Sequence, residues 1–106
     1  MATGLEFKEF IEDQLSDLEG ISFRKMMGEY LIYRKGKIVA YLCDDRLLVK
    51  PVPSALKLLP QAERQKPYEG AKEMLLVENP EDRELLKSLI EAMEPELPAP
   101  GKGRKK

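Results

Sequence analysis

The chain has 106 residues, of which 42% are hydrophobic and 35% charged, with 18 Lys+Arg against 19 Asp+Glu and a formal net charge of −1. That size and balance suit one domain with one modest core, and they exclude a globally polybasic nucleic-acid binder and a disordered chain. The lack of any His rules out imidazole catalysis and His metal sites, and the single Cys rules out an internal disulfide or a Cys-cluster zinc site.

Met1-Ala2-Thr3-Gly4 leads straight into charged residues, so no signal peptide is expected. No apolar run approaches the ~20 residues that span a bilayer. With one unpaired Cys, this predicts a cytoplasmic protein. Thr3 and Glu6 have capping-box spacing, and Phe7, Phe10, Ile11, Gln14, Leu15 and Leu18 recur at helical spacing, which predicts a helix over 4–19 that Gly20 closes. Four antiparallel strands follow: Ile21 to Met27, Tyr30 to Arg34, Lys37 to Cys43 and Arg46 to Lys50. Their turns fall at Gly28-Glu29, Lys35-Gly36 and Asp44-Asp45. Pro51 and Pro53 end this run. A short helix over Ser54 to Leu59, a polar loop over Gln61 to Gly70 and a fifth strand over Lys72 to Glu78 come next. Asn79-Pro80 reads as the N-cap and first turn of a last helix, whose apolar stripe is Leu85, Leu86, Leu89, Ile90 and Met93. The order α-β-β-β-β-α-β-α predicts an α+β fold: a two-layer domain over 1–95, with an antiparallel sheet of about five strands and helices packed on one face. Residues 96–106 form a Pro/Gly/basic tail, expected to be flexible.

If both hairpins have two-residue loops, Tyr33 pairs with Ile38, Leu31 with Ala40, Leu42 with Leu47 and Ala40 with Val49. The core face is then Leu31, Tyr33, Ile38, Ala40, Leu42, Leu47 and Val49. The other face carries Tyr30, Ile32, Arg34, Lys37, Val39, Tyr41, Cys43, Arg46, Leu48 and Lys50. The register of the first strand stays open, because two- and three-residue turns at Gly28 put opposite side chains inward.

Little here points to catalysis. Cys43 has no His partner and sits beside Asp44 and Asp45, whose charge disfavours a thiolate. Asp44-Asp45 is half a metal site at most and reads better as a turn. No Gly-rich phosphate loop is present. The expectation is a non-enzymatic protein without cofactor or metal. The mixed sheet face is the place for a partner, and it admits two readings. Tyr30 and Tyr41 among Arg34, Lys37, Arg46 and Lys50 resemble a platform for single-stranded nucleic acid. Ile32, Val39 and Leu48 on the same face suit a protein contact, with another protein or with a second copy. A small-ligand protein is a third reading. Charge supports attention to this face: residues 20–77 carry eleven bases and six acids, whereas residues 1–19 carry one base and six acids.

Arg24-Lys25-Met26-Met27-Gly28-Glu29-Tyr30 resembles the N-terminal domain of the TfoX/Sxy competence-regulator family. So does the following series: Tyr30-Leu31-Ile32-Tyr33, Lys35-Gly36-Lys37, Ile38 to Leu42, and Asp44-Asp45-Arg46-Leu47-Leu48-Val49-Lys50. Pro67-Tyr68-Glu69-Gly70-Ala71-Lys72 resembles one branch of that family, and the likeness extends over roughly residues 5–95. Glu29 stands where the family often has a second Gly. The resemblance implies a two-layer α+β domain and a role in regulating DNA-uptake genes, where the family works with the cyclic-AMP receptor protein at promoters. It implies no catalytic residues. Within the motif, Gly28 fits a turn requiring positive φ, and Arg24, Lys25 and Tyr30 join the candidate partner-binding residues Arg34, Lys37, Tyr41, Arg46 and Lys50.

Overall fold

The computed structural model describes residues 4–97 apart from Met27 and Tyr68. The chain runs α1 (Leu5–Gln14), β1 (Ile21–Met26), β2 (Glu29–Arg34), β3 (Lys37–Cys43), β4 (Arg46–Val49), α2 (Pro53–Leu58), β5 (Arg64–Gln65), β6 (Met74–Leu76) and α3 (Arg83–Met93). A 3₁₀ turn follows over Glu94–Glu96. The strands form one sheet in the order β1-β2-β3-β4-β6-β5, and every neighbouring pair is antiparallel. This is the α+β architecture expected from the sequence, with six strands instead of about five. The added strand, β5, lies inside the stretch expected to be a polar loop. It is only two residues long, too short to leave an alternating pattern. The expected tail beyond residue 97 and the capping residue Thr3 lie outside the described residues.

Two of the three hairpins that join β1 to β4 have turns of a defined type. Lys35 and Gly36 have φ of 52° and 84°, and Asp44 and Asp45 have φ of 53° and 56°. Paired positive φ values are the mark of type I′ turns, whose twist matches that of the flanking strands. Asp tolerates this conformation better than most residues, and Gly adopts it freely. Gly20, after α1, has a harder constraint. Its φ is 75°, and a Cβ built on it would lie 2.6 Å from Lys35 Cγ. Its carbonyl accepts the Lys35 backbone N–H at 2.7 Å. A side chain at residue 20 would therefore be strained by the positive φ and would have to displace the Lys35 side chain.

The helices differ from expectation at their ends. The first stops at Gln14, not near residue 19. Ser16 Oγ donates to the Asp13 carbonyl at 2.7 Å, and the backbone continues in turns that still bury Leu15 and Leu18. Such local side-chain bonding competes with the helical ladder. The last helix begins three residues later than Asn79-Pro80 suggests. Asp82 is its N-cap, accepting the Leu85 N–H at 3.0 Å, while Asn79 to Asp82 forms a turn. The Pro80 carbonyl accepts Gln14 Nε2 at 3.0 Å, which fastens that turn to the end of α1.

All three helices pack on one side of the sheet. Ile11 of α1, Ala55 of α2 and Leu86, Leu89, Ile90 and Met93 of α3 share one buried cluster with Ile32, Leu42, Leu47, Val49 and Leu75. Burying this much aliphatic surface is the main stabilising contribution.

The register carries the principal correction. Tyr33 pairs with Ile38 as expected, but Leu31 pairs with Tyr41 and Ile32 with Ala40. One residue, Val39, is extra on β3. A bulge of this kind moves every side chain beyond it to the opposite face. Ala40, Leu42, Leu47 and Val49 face the helices as expected. Tyr30, Ile32 and Val39 join them there instead of the open side.

Candidate docking face

Among the described residues, no helix packs on the far side of the sheet. Alternation along the paired strands brings Arg24, Leu31, Tyr41, Leu48 and Leu76 into one row across β1, β2, β3, β4 and β6. Ser22, Tyr33 and Ile38 form a second row to one side. Met26 and Glu29 on β1 and β2, with Cys43 and Arg46 on β3 and β4, lie on the other. A smaller buried cluster of Cys43, Leu48 and Met74 sits here, with Tyr41 and Leu76 packed against it.

Next to that cluster lies a shallow groove of about 690 Å³, lined by Met26, Glu29, Tyr30, Leu31, Tyr33, Ile38 and Tyr41. Its walls are apolar except for Glu29 and the tyrosine hydroxyls. Met26 is 47% exposed, one of the larger apolar exposures among the described residues. A concave apolar strip on a sheet face that no described helix covers is the kind of surface that binds another molecule.

The polar end of this face is internally satisfied. Arg46 Nε donates to the Cys43 carbonyl at 3.1 Å, its Nη1 donates to Gln65 Oε1, and Nη2 lies 3.9 Å from Asp44 Oδ2. The Cys43 thiol is pushed up to about 12 by burial, by the Glu29 charge and by its hydrogen bond to Glu29. A thiol held neutral in this way is a packing group, not a nucleophile.

The eight candidate partner-binding residues do not share one face. Arg24, Tyr41, Arg46 and Lys50 lie on the open side. Tyr30 is buried on the helix side, where Lys8 Nζ stands 5.7 Å from its ring and 5.4 Å from that of Phe23. Lys25 pairs with Tyr30 and shares its side. Arg34 is buried beneath the helix layer, donating to the Glu19 carbonyl and lying 3.9 Å from Glu94. Lys37 donates to the Glu94 carbonyl at 3.1 Å and pairs with its carboxylate at 3.6 Å. The expected single mixed face is therefore corrected: the bulge at Val39 turns half of it over. The same flip brings out Leu31, Tyr33 and Ile38, which the sequence pattern assigns to the core. No local residue marks this bulge, since Val suits a regular strand equally well.

Among the described residues, no group of three or more His, Cys, Asp or Glu is arranged to hold a metal ion, and no helix is long and apolar enough to cross a membrane.

A family model described as the TfoX N-terminal domain matches residues 13–91. A curated protein of Spirochaeta aurantia, described as an uncharacterized 12.7 kDa protein in the trpE 5′ region, is 33% identical over 101 residues. The match covers 94% of this chain and 88% of that protein. No solved structure matches.

Proposed function

This chain belongs to the TfoX N-terminal domain family, and on that premise we propose that it is a non-enzymatic regulatory domain that docks a protein partner through its helix-free sheet face. The process would be the control of DNA-uptake genes, in keeping with the family resemblance. One observation supports this reading above others: the apolar groove of Met26, Leu31, Tyr33, Ile38 and Tyr41 on a side of the sheet where none of the described helices packs. Proteins bury such strips against other proteins because their removal from water is favourable.

The alternative platform for single-stranded nucleic acid has less support. It needs bases and aromatics interleaved on one surface. Here Arg34 and Lys37 are tied to Glu94 on the helix side, and the Tyr30 ring is in the core.

The test is a photo-cross-linker placed in cells at Met26 or Tyr33, with a control at Leu5, which is 60% exposed on α1. The expected result is a discrete protein adduct from Met26 and Tyr33 and none from Leu5. Adducts to nucleic acid, or the same adducts from all three positions, would overturn the reading.

A further inference from the structure

At Tyr41 the open face continues into a second groove of about 720 Å³, between the end of β4 and the start of β6. Its character is different. Lys50 leaves β4 on the same side as Leu48, and Lys72 approaches from the segment that leads into β6. The two cations share one concavity, and among the described residues neither has an ion pair. Two carboxylates also line this space. Glu96 is committed to α2, accepting from Ser54 N at 2.8 Å and Ser54 Oγ at 2.7 Å. Glu73 makes no ion pair with either lysine. The remaining walls are apolar, chiefly Tyr41, Pro51, Val52 and Met74.

We propose that this groove is an oxyanion site for a small amphiphilic molecule, whose carboxylate or phosphate sits between Lys50 and Lys72 and whose apolar body lies against Tyr41, Pro51 and Met74. Like charges drawn together in a partly desolvated space repel, and an arriving anion relieves that repulsion while making charge-assisted hydrogen bonds. The state of Lys50 fits this. Burial, and then the Lys72 charge, hold its ammonium below the usual lysine range. A bound anion acts in the opposite sense and raises it. The inference is independent of the docking reading, because a small ligand here requires no protein on the neighbouring groove.

The test uses the full chain with three probes: inorganic phosphate, phenyl phosphate and benzoate. Amide NMR shifts are followed at low salt. The expected result is a saturable response centred on Val52, Ala71 and Met74, with an aryl probe bound more tightly than inorganic phosphate. Whether phenyl phosphate or benzoate binds better identifies the anion's source. Lys50→Gln and Lys72→Gln should each weaken binding roughly tenfold, the loss of one charge-assisted contact, while Lys57→Gln on α2 leaves it unchanged. The Lys50 side-chain titration should move upward in the complex. Lys72 is exposed, so its variant keeps the test valid if Lys50→Gln disturbs folding. Absence of saturable shifts with all three probes would overturn the proposal, as would affinity unchanged in Lys72→Gln.

Discussion

The two sides of the sheet are built from the same strands but do different work. Toward the helices, Ile32, Leu42, Leu47, Val49 and Leu75 meet side chains from α1, α2 and α3 in one continuous buried cluster. Away from them, Cys43, Leu48 and Met74 form a smaller buried cluster with Tyr41 and Leu76 against it, and Tyr33, Ile38 and Tyr41 stay partly exposed around a groove. Charge is divided in the same manner. Arg34 and Lys37 converge on Glu94 under the helix layer, whereas Lys50 and Lys72 on the other side have no ion pair among the described residues. The helix side thus pairs Arg34 and Lys37 beneath an apolar core, whereas the open side, apart from the satisfied Arg46 end, keeps an apolar groove and two cations with no ion pair among the described residues. That contrast, more than any single residue, is why the proposed docking reading falls on the open side.

The largest effect is expected in the helix-side cluster. Leu89 is fully buried, and Leu89→Ala should destabilise by about 2–5 kcal/mol, the transfer loss plus a cavity. Urea denaturation checks this. A cost below 1 kcal/mol, roughly the level of a surface change, would mean that the helix layer is not the main source of stability.

Next comes the charge cluster under that layer. Glu94→Ala leaves Arg34 and Lys37 facing each other without their shared carboxylate, and should cost about 1–3 kcal/mol. Arg34 Nε already has no hydrogen-bond partner, so the loss is not made up nearby. Stability unaffected by Glu94→Ala would show that these cations are solvated instead.

A smaller, pH-dependent effect belongs to Cys43 on the open side. In the folded chain the thiol is pushed up to about 12 from an ordinary value of 9.0. Between those values the unfolded chain has released its proton and the folded chain has kept it. This contribution to stability is therefore intact below pH 9.0 and is lost as pH rises toward about 12. Denaturation series at alkaline pH should show a decline that Cys43→Ala reduces. At neutral pH a thiol reagent should label the native protein slowly and the urea-unfolded protein fast.

Much of this contrast was legible in the amino-acid sequence, and the missing part has a definite cause. Lys35-Gly36 and Asp44-Asp45 announce their hairpins through turn chemistry, and the resulting β3–β4 register holds: Ala40 pairs with Val49 and Leu42 with Leu47. The β2–β3 pair began correctly at Tyr33 and Ile38 and was then inverted, because Val39 adds a residue that pairing rules cannot see. Hence the sequence pattern puts Tyr41, Arg46 and Lys50 on the side where they lie, while Tyr30, Arg34 and Lys37 lie on the other side from the one it predicts. Bulges respond to tertiary packing, here the fully buried Val39 against the helix layer, and a β-branched residue offers no local sign of one. The Lys50–Lys72 groove was half legible. Lys50 was a candidate, but Lys72 lies beyond a loop of unpredictable path, and only the β4–β6 pairing brings it near.

The division between the two sides is tested most directly by the double variant Met26→Asp/Ile38→Asp, which charges the open groove without touching the helix-side cluster. Two quantities are compared with the unaltered chain: thermal stability, and transcript levels of DNA-uptake genes in the source cell at equal protein abundance. The account predicts a melting temperature changed by only a few degrees, as for surface substitutions of about 0.5 kcal/mol each, together with loss of the regulatory response. A response retained in full by the folded double variant would contradict it.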